Sequence, residues 1–172
     1  MIDIFINVLL LVLLSISFYT DVKYNIIPNK ITLPVIITAL LINGYRTGFS
    51  GFLFGLKGLV TGIFLLFIPY CLGGIGAGDV KLLGAVGALK GPLFAVKTIL
   101  LGGLIGGVIA AYLIYRRGMI KSSAKNLMLI GYTIASGGKP GFLFEQYRHA
   151  QTFPYGTAIA LGGILSLLLN MY

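Results

Sequence analysis

The fold is decided by residues 51–83, which read GFLFGLKGLVTGIFLLFIPYCLGGIGAGDVKLL. Residues 52–72 are an apolar run of about 20 residues, the length that an α-helix needs to cross the hydrocarbon core of a bilayer. Glycines then interrupt the run within residues 73–78, and glycine breaks helices because its backbone is the least restricted. A further apolar segment begins at about Asp79. The stretch therefore predicts two membrane helices that meet at a glycine-rich junction carrying a carboxylate.

The composition of the whole chain is that of a membrane protein. Of its 172 residues, 58% are hydrophobic and 10% are charged, whereas a soluble domain carries about 25% charged residues. The 25 glycines are typical of membrane helices that pack backbone to backbone. The single cysteine, Cys71, and the single histidine, His149, exclude an internal disulfide and a Cys- or His-rich zinc site. We predict one integral membrane domain, residues 1–172, with neither a metal nor a cofactor.

The predicted fold class is an all-α polytopic membrane protein, a bundle of six transmembrane helices. Apolar runs bounded by Pro, Gly and polar turns give the approximate spans 4–20, 31–45, 52–72, 79–90, 93–115 and 155–171. The long connection at 116–153 is polar. Within it, residues 119–135 place apolar side chains on one helical face in a run too short to span, which indicates a cytoplasmic amphipathic helix on the membrane surface.

Lysine and arginine positions predict the orientation of this bundle. The connections that follow the first, third and fifth helices share one side of the membrane and hold nine of the 13 cationic residues. Arg46 and Lys90 lie on the other side, and Lys57 and Lys97 lie within helices near it. Because cationic residues accumulate in cytoplasmic loops, the side with nine is cytoplasmic and both termini face outward from the cell membrane. The same rule explains the net charge of +9, so we predict the lipid bilayer, and no nucleic acid, as a partner.

The chain contains only four acidic residues, Asp3, Asp21, Asp79 and Glu145. Asp3 lies at the outer end of the first helix and Glu145 in a polar loop, where acidic residues are common. Asp21 ends the first helix and Asp79 begins the fourth. Because these two helices run in opposite directions, both carboxylates lie at the cytoplasmic edge. An aspartyl hydrolase needs two carboxylates that share a water and a proton, so we predict Asp21 and Asp79 as a catalytic pair.

Residues next to the two aspartates are candidates for supporting roles. Gly76 and Gly78 precede Asp79 and would let an extended substrate strand approach the backbone; an ordinary helix-breaking loop is the alternative. Lys23 and Lys81 each stand two positions after a key aspartate, where they would contact a carboxylate or the substrate backbone. Interfacial lysines that obey the charge rule are the alternative. At helix ends the dipoles favour Asp79 as the base, although such a pair titrates as a unit.

Three motifs in the same order resemble those of the type IV prepilin peptidases, members of the GxGD class of intramembrane aspartyl proteases. Asp21 followed by Ile27-Pro28-Asn29 is similar to the first catalytic motif, and residues 76–83, GAGDVKLL, are similar to the second, G-x-G-D-x-K-L. Pro154-Tyr155-Gly156, which opens the last helix as PYGTAIALG, resembles the short tight-adherence (Flp) pilus branch. The resemblance implies Asp21 and Asp79 as catalytic residues. It adds four supporting residues, Pro28, Asn29, Pro154 and Gly156.

The resemblance also implies a substrate: a prepilin or pseudopilin whose basic leader peptide is cut at the cytoplasmic membrane face, just before its hydrophobic helix. The cysteine-bearing N-terminal segment of the longer bacterial enzymes is not in this sequence, so no methyl transfer is expected. Archaeal preflagellin peptidases share the two aspartate motifs and are an alternative. A small channel or transporter is the alternative of another class, favoured by the glycine content and by Lys57 and Lys97 within helices.

Overall fold

The computed structural model describes residues 2–116 and 155–169, which form six α-helices and, within these ranges, no strand. The helices are α1 Ile2–Tyr24, α2 Asn29–Thr47, α3 Phe49–Cys71, α4 Ala77–Lys90, α5 Pro92–Arg116 and α6 Tyr155–Leu169. The predicted all-α class is confirmed for this part of the chain. The amphipathic helix predicted at 119–135 lies outside the described residues, as does the remainder of the long loop.

Residues with unusual backbone freedom mark the ends of the helices. Helix α1 continues to Tyr24 instead of ending at residue 20, because the first residue to leave helical geometry is Asn25, with a φ of 51°. Asparagine adopts this left-handed conformation more readily than most residues. Gly48 and Gly91, with φ of 64° and 85°, separate α2 from α3 and α4 from α5. The other helix ends lie within three residues of the predicted ones.

Helix α4 is the centre of the bundle. Its residues from Val80 to Leu89 are buried, except for the partly exposed Lys81, as expected of a helix that is apolar on all sides. Helix α3 packs against it backbone to backbone, because a Cβ atom on Gly58 or on Gly87 would collide with the carbonyl group of the other. Helices α1, α2, α5 and α6 also contact α4. The buried part of α4, which begins at Asp79, is thereby held inside the bundle.

Helix direction alternates from α1 to α5, so two sets of helix ends face opposite ways. The start of α1 meets the end of α2, where the Arg46 guanidinium donates to the Asp3 carboxylate at 2.6 and 3.0 Å. The opposite set of ends carries Asp21, in the last turn of α1, and Asp79, in the first turn of α4. We call the two sets the ion-pair end and the carboxylate end of the bundle.

The protein is a membrane protein, and the part of the chain that the structure describes has three clear spans. Helices α1 and α3, and residues Pro92–Tyr112 of α5, are long and apolar enough to cross a bilayer. Large apolar side chains project outward from them, for example Phe64 and Leu104, which are 68% and 69% exposed. Helix α6 is a shorter apolar helix of 15 residues. The prediction of six transmembrane helices is thus confirmed for three, and membrane crossing by α2, α4 and α6 stays a prediction.

Candidate active site

The first aspartate is held by the last turn of α1 and the bend that follows it. Asp21 is 5% exposed, and its carbonyl group accepts a hydrogen bond of 2.8 Å from the N–H of Asn25. Pro28 has an extended backbone, with φ −69° and ψ 132°, and leads into α2. This bend turns the buried side chain of Ile27 back toward the start of α4. The segment Ile27-Pro28-Asn29, which we call the I-P-N turn, is therefore part of the wall beside Asp21.

The second aspartate is held by the first turn of α4. Asp79 is 8% exposed, and its Oδ2 atom accepts a hydrogen bond of 3.1 Å from the N–H of Gly76. A Cβ atom at Gly78 would lie 3.0 Å from the Cβ atom of Ile27, closer than such atoms normally approach. The close neighbour of Gly78 in this structure is therefore the I-P-N turn, and its lack of a side chain lets that turn pack against α4.

Asp21 and Asp79 line the same two cavities at the carboxylate end. The larger cavity, about 560 Å³, is also bounded by the end of α3, the glycine-rich turn before α4 and Tyr155 of α6. The smaller, about 230 Å³, lies between the bend at residues 25–27 and the start of α4. No hydrogen bond joins the two carboxyl groups within the described residues. Both are thus available to one group bound in the space between them.

The start of α6 contacts the first aspartate directly. The backbone N–H and the hydroxyl group of Thr157 both donate to Oδ2 of Asp21, at 2.6 and 2.9 Å. A Cβ atom at Gly156 would lie 2.9 Å from Cγ of Asp21 and 2.7 Å from Cδ1 of Ile27. Only glycine at this position lets α6 approach so closely. The sequence prediction included Gly156 and missed Thr157, although a threonine at the start of a helix after P-Y-G is a recognisable donor.

The other predicted residues divide into those that the structure brings to the site and those that it does not. Nζ of Lys81 donates to Oδ1 of Asn29 at 2.9 Å, which links α4 to the start of α2. Nζ of Lys23 instead donates to the hydroxyl of Tyr19 at 3.2 Å and lies 5.2 Å from the centre of the Tyr24 ring. Lys23 is not among the residues that line either cavity. Pro154 lies outside the described residues.

The electrostatics of the site are unusual for two buried acids. Within the described part of the chain, the one ion pair is Asp3 with Arg46, at the other end of the bundle. The hydrogen bonds of Asp21 and Asp79 come from neutral donors, a hydroxyl and backbone N–H groups. Burying a carboxylate without a cationic partner costs free energy, and buried carboxylates of this kind are common at functional sites. Two of them on one cavity are suited to general acid and base chemistry.

Comparison with known proteins gives one match. The model of the type IV leader peptidase family matches residues 8–111, which is more than half of the chain. The matched segment contains both aspartates and ends before α6. No curated protein and no solved structure matches the chain.

Proposed function

The chain belongs to the type IV leader peptidase family, and on this premise we propose that it is a membrane-embedded aspartyl endopeptidase for prepilin-like precursors. Asp21 and Asp79 are its catalytic pair. One observation carries the proposal: the only buried carboxylates among the described residues come from two different helices and line the same cavities. Membrane proteins rarely bury unpaired acids without a functional reason.

The proposed reaction is hydrolysis of a peptide bond by a water between the two carboxyl groups. The ionised carboxylate takes a proton from the water as the water oxygen bonds to the carbonyl carbon. The protonated carboxyl group gives its proton to the carbonyl oxygen. In the second step the carboxyl group that took the water proton gives it to the amide nitrogen, and the C–N bond breaks. The carboxylate that had given up its proton takes one back from a hydroxyl group of the tetrahedral intermediate. The pair begins and ends with one proton, as two adjacent carboxyl groups require.

The proposed supporting residues act on the walls of the site. Gly78 and Gly156 leave space for the I-P-N turn and for α6, respectively. The bond from Lys81 to Asn29 ties the same turn to α4. Since these contacts converge on Asp21 and Asp79, they fix the separation of the two carboxyl groups. Catalysis is sensitive to such placement, because a misplacement of about 1 Å costs on the order of 100-fold in rate.

We propose that the carboxylate end faces the cytoplasm. The long loop joins the end of α5 to the start of α6, and both of these lie at the carboxylate end. The nine cationic residues of that side therefore outnumber the remaining four, even when Lys57 and Lys97 are counted with the opposite side. A basic leader peptide is not drawn to a basic face by net charge. The apolar helix of the precursor would instead supply most of the binding free energy by packing against the membrane helices.

The test is cleavage of candidate precursors by the purified full-length protein in lipid vesicles. Prepilins, Flp-type prepilins and archaeal preflagellins are compared, and the new N-terminus of each product is read by mass spectrometry. We expect one cut between the leader and the apolar helix, and no product from an Asp21→Asn/Asp79→Asn double variant. Cleavage that persists in the double variant would refute the catalytic pair, and intact precursors in every case would refute the substrate class.

A further inference from the structure

The start of α6 is aimed at one oxygen of Asp21. The first N–H groups of any α-helix have no partner within the helix, and the helix dipole makes that end attractive to a negative charge. In α6, which begins at Tyr155, the N–H of Thr157 is one of these groups, and it donates to Oδ2 of Asp21 at 2.6 Å. The Thr157 hydroxyl donates to the same oxygen at 2.9 Å.

From this geometry we propose that Thr157 is a positioning residue for the catalytic reaction: it holds Oδ2 of Asp21 and leaves Oδ1 as the oxygen that exchanges a proton with water. The proposal rests on the proposed aspartyl protease function. An oxygen that already accepts two hydrogen bonds is a poor site for a further proton, because both of its lone pairs are in use and one donor would have to turn away. Hydrogen bonds to a charged acceptor are also stronger than neutral ones and fix its orientation.

The neighbouring residue explains why a threonine can reach Asp21 at this point. Gly156 is buried, and the space that its side chain would fill is taken by Asp21 and Ile27. The α6 backbone can therefore come within hydrogen-bond distance of the carboxylate. Asp79 has no equivalent arrangement, since its one described donor is the N–H of Gly76, in its own helix start. The two members of the pair are thus held differently, Asp21 from across the bundle and Asp79 locally.

The activity test compares Thr157→Val, which loses the hydroxyl but keeps the shape and the N–H, with Thr157→Ser, which keeps the hydroxyl. We expect kcat to fall about 10- to 100-fold in the valine variant, the value of a hydrogen bond to a charged group, with KM changed less than about twofold. The serine variant should stay within about threefold of wild type. Thr98→Val is the matched control, because its buried hydroxyl has no hydrogen-bond partner in the described structure.

A double-mutant cycle on thermal unfolding tests the contact without using activity. Thr157→Val should lower the midpoint by about 3–6 °C in the wild-type background and by less than about 1 °C beside Asp21→Ala. Equal shifts in both backgrounds would refute the contact. Coupled shifts with normal kcat in the valine variant would refute the positioning role and leave the protease intact. Coupled shifts in a protein that cleaves no precursor would refute the proposed function, and the positioning role with it.

Discussion

Aspartate side chains lie in opposite environments at the two ends of the bundle. At the ion-pair end, the Asp3 side chain is 65% exposed and bound by the Arg46 guanidinium. At the carboxylate end, Asp21 and Asp79 are 5% and 8% exposed, and among the described residues only neutral groups donate hydrogen bonds to them. A carboxylate that serves stability is placed where water and a cation can solvate it. The pair at the other end is kept buried at a cost in free energy, as the proposed catalytic role requires.

The largest expected effect follows from removing either buried carboxylate. Asp21→Asn and Asp79→Asn should each lower kcat by about 10²- to 10⁴-fold, because each removes one partner in proton transfer while keeping the shape of the side chain. The rate of precursor cleavage in lipid vesicles measures this. Asp3→Asn makes the same chemical change at the other end and should keep kcat within about twofold. Near-normal cleavage by Asp21→Asn or Asp79→Asn would contradict the proposed difference in role between the two ends.

The second effect concerns the space that Gly156 leaves beside Asp21. In Gly156→Ala the new methyl group would contact Cγ of Asp21 and Cδ1 of Ile27, at 2.9 and 2.7 Å, so α6 or the carboxylate must shift. A displacement of the carboxylate by about 1 Å should cost about 100-fold in kcat. Gly107→Ala is the matched control, since a Cβ atom there meets nothing within 4 Å, and its activity should be unchanged. Equal activity of the two variants would show that α6 does not position the aspartate.

The sequence predicted the pair but only part of its surroundings. Prolines and glycines mark where the helices end, and successive helices run in opposite directions. These local signals are enough to place Asp21 and Asp79 at the same end of the bundle. The contact of Thr157 with Asp21 depends on how α1 and α6 pack, which no local pattern encodes. The dipole argument that favoured Asp79 as the base considered only each aspartate's own helix. The structure adds the start of a second helix, α6, facing Asp21.

A third, smaller effect distinguishes two lysines that the sequence treats alike. Lys23 and Lys81 each follow an aspartate by two positions, but Lys81 binds Asn29 and Lys23 binds Tyr19. Lys81→Met should lower kcat about three- to tenfold, because the I-P-N turn loses its bond to α4. Lys23→Met should change kcat less than about twofold. We would measure both in the cleavage assay, together with Asn29→Ala, whose effect should not add to that of Lys81→Met.

A larger loss of kcat from Lys23→Met than from Lys81→Met would contradict this assignment. It would indicate that Lys23, in the last turn of α1, contacts the substrate, which is the supporting role predicted from its spacing to Asp21. An additive effect of Lys81→Met and Asn29→Ala would show that the bond between these residues does not carry the effect.

The smallest effect is expected at the ion-pair end, where Arg46→Met should alter stability without altering catalysis. The pair is bidentate, with distances of 2.6 and 3.0 Å, but both side chains are substantially exposed. Exposed pairs contribute about 0.2–1 kcal/mol, so the unfolding midpoint should fall by no more than about 4 °C. The difference should shrink in 1 M salt, since screening weakens exposed charge pairs most. Thermal unfolding at two salt concentrations, combined with Asp3→Asn in a double-mutant cycle, measures the pair itself. A loss of kcat in Arg46→Met, with the fold intact, would mean that the two ends are coupled through α1 and α2. It would contradict the assignment of stability to the ion-pair end and catalysis to the carboxylate end.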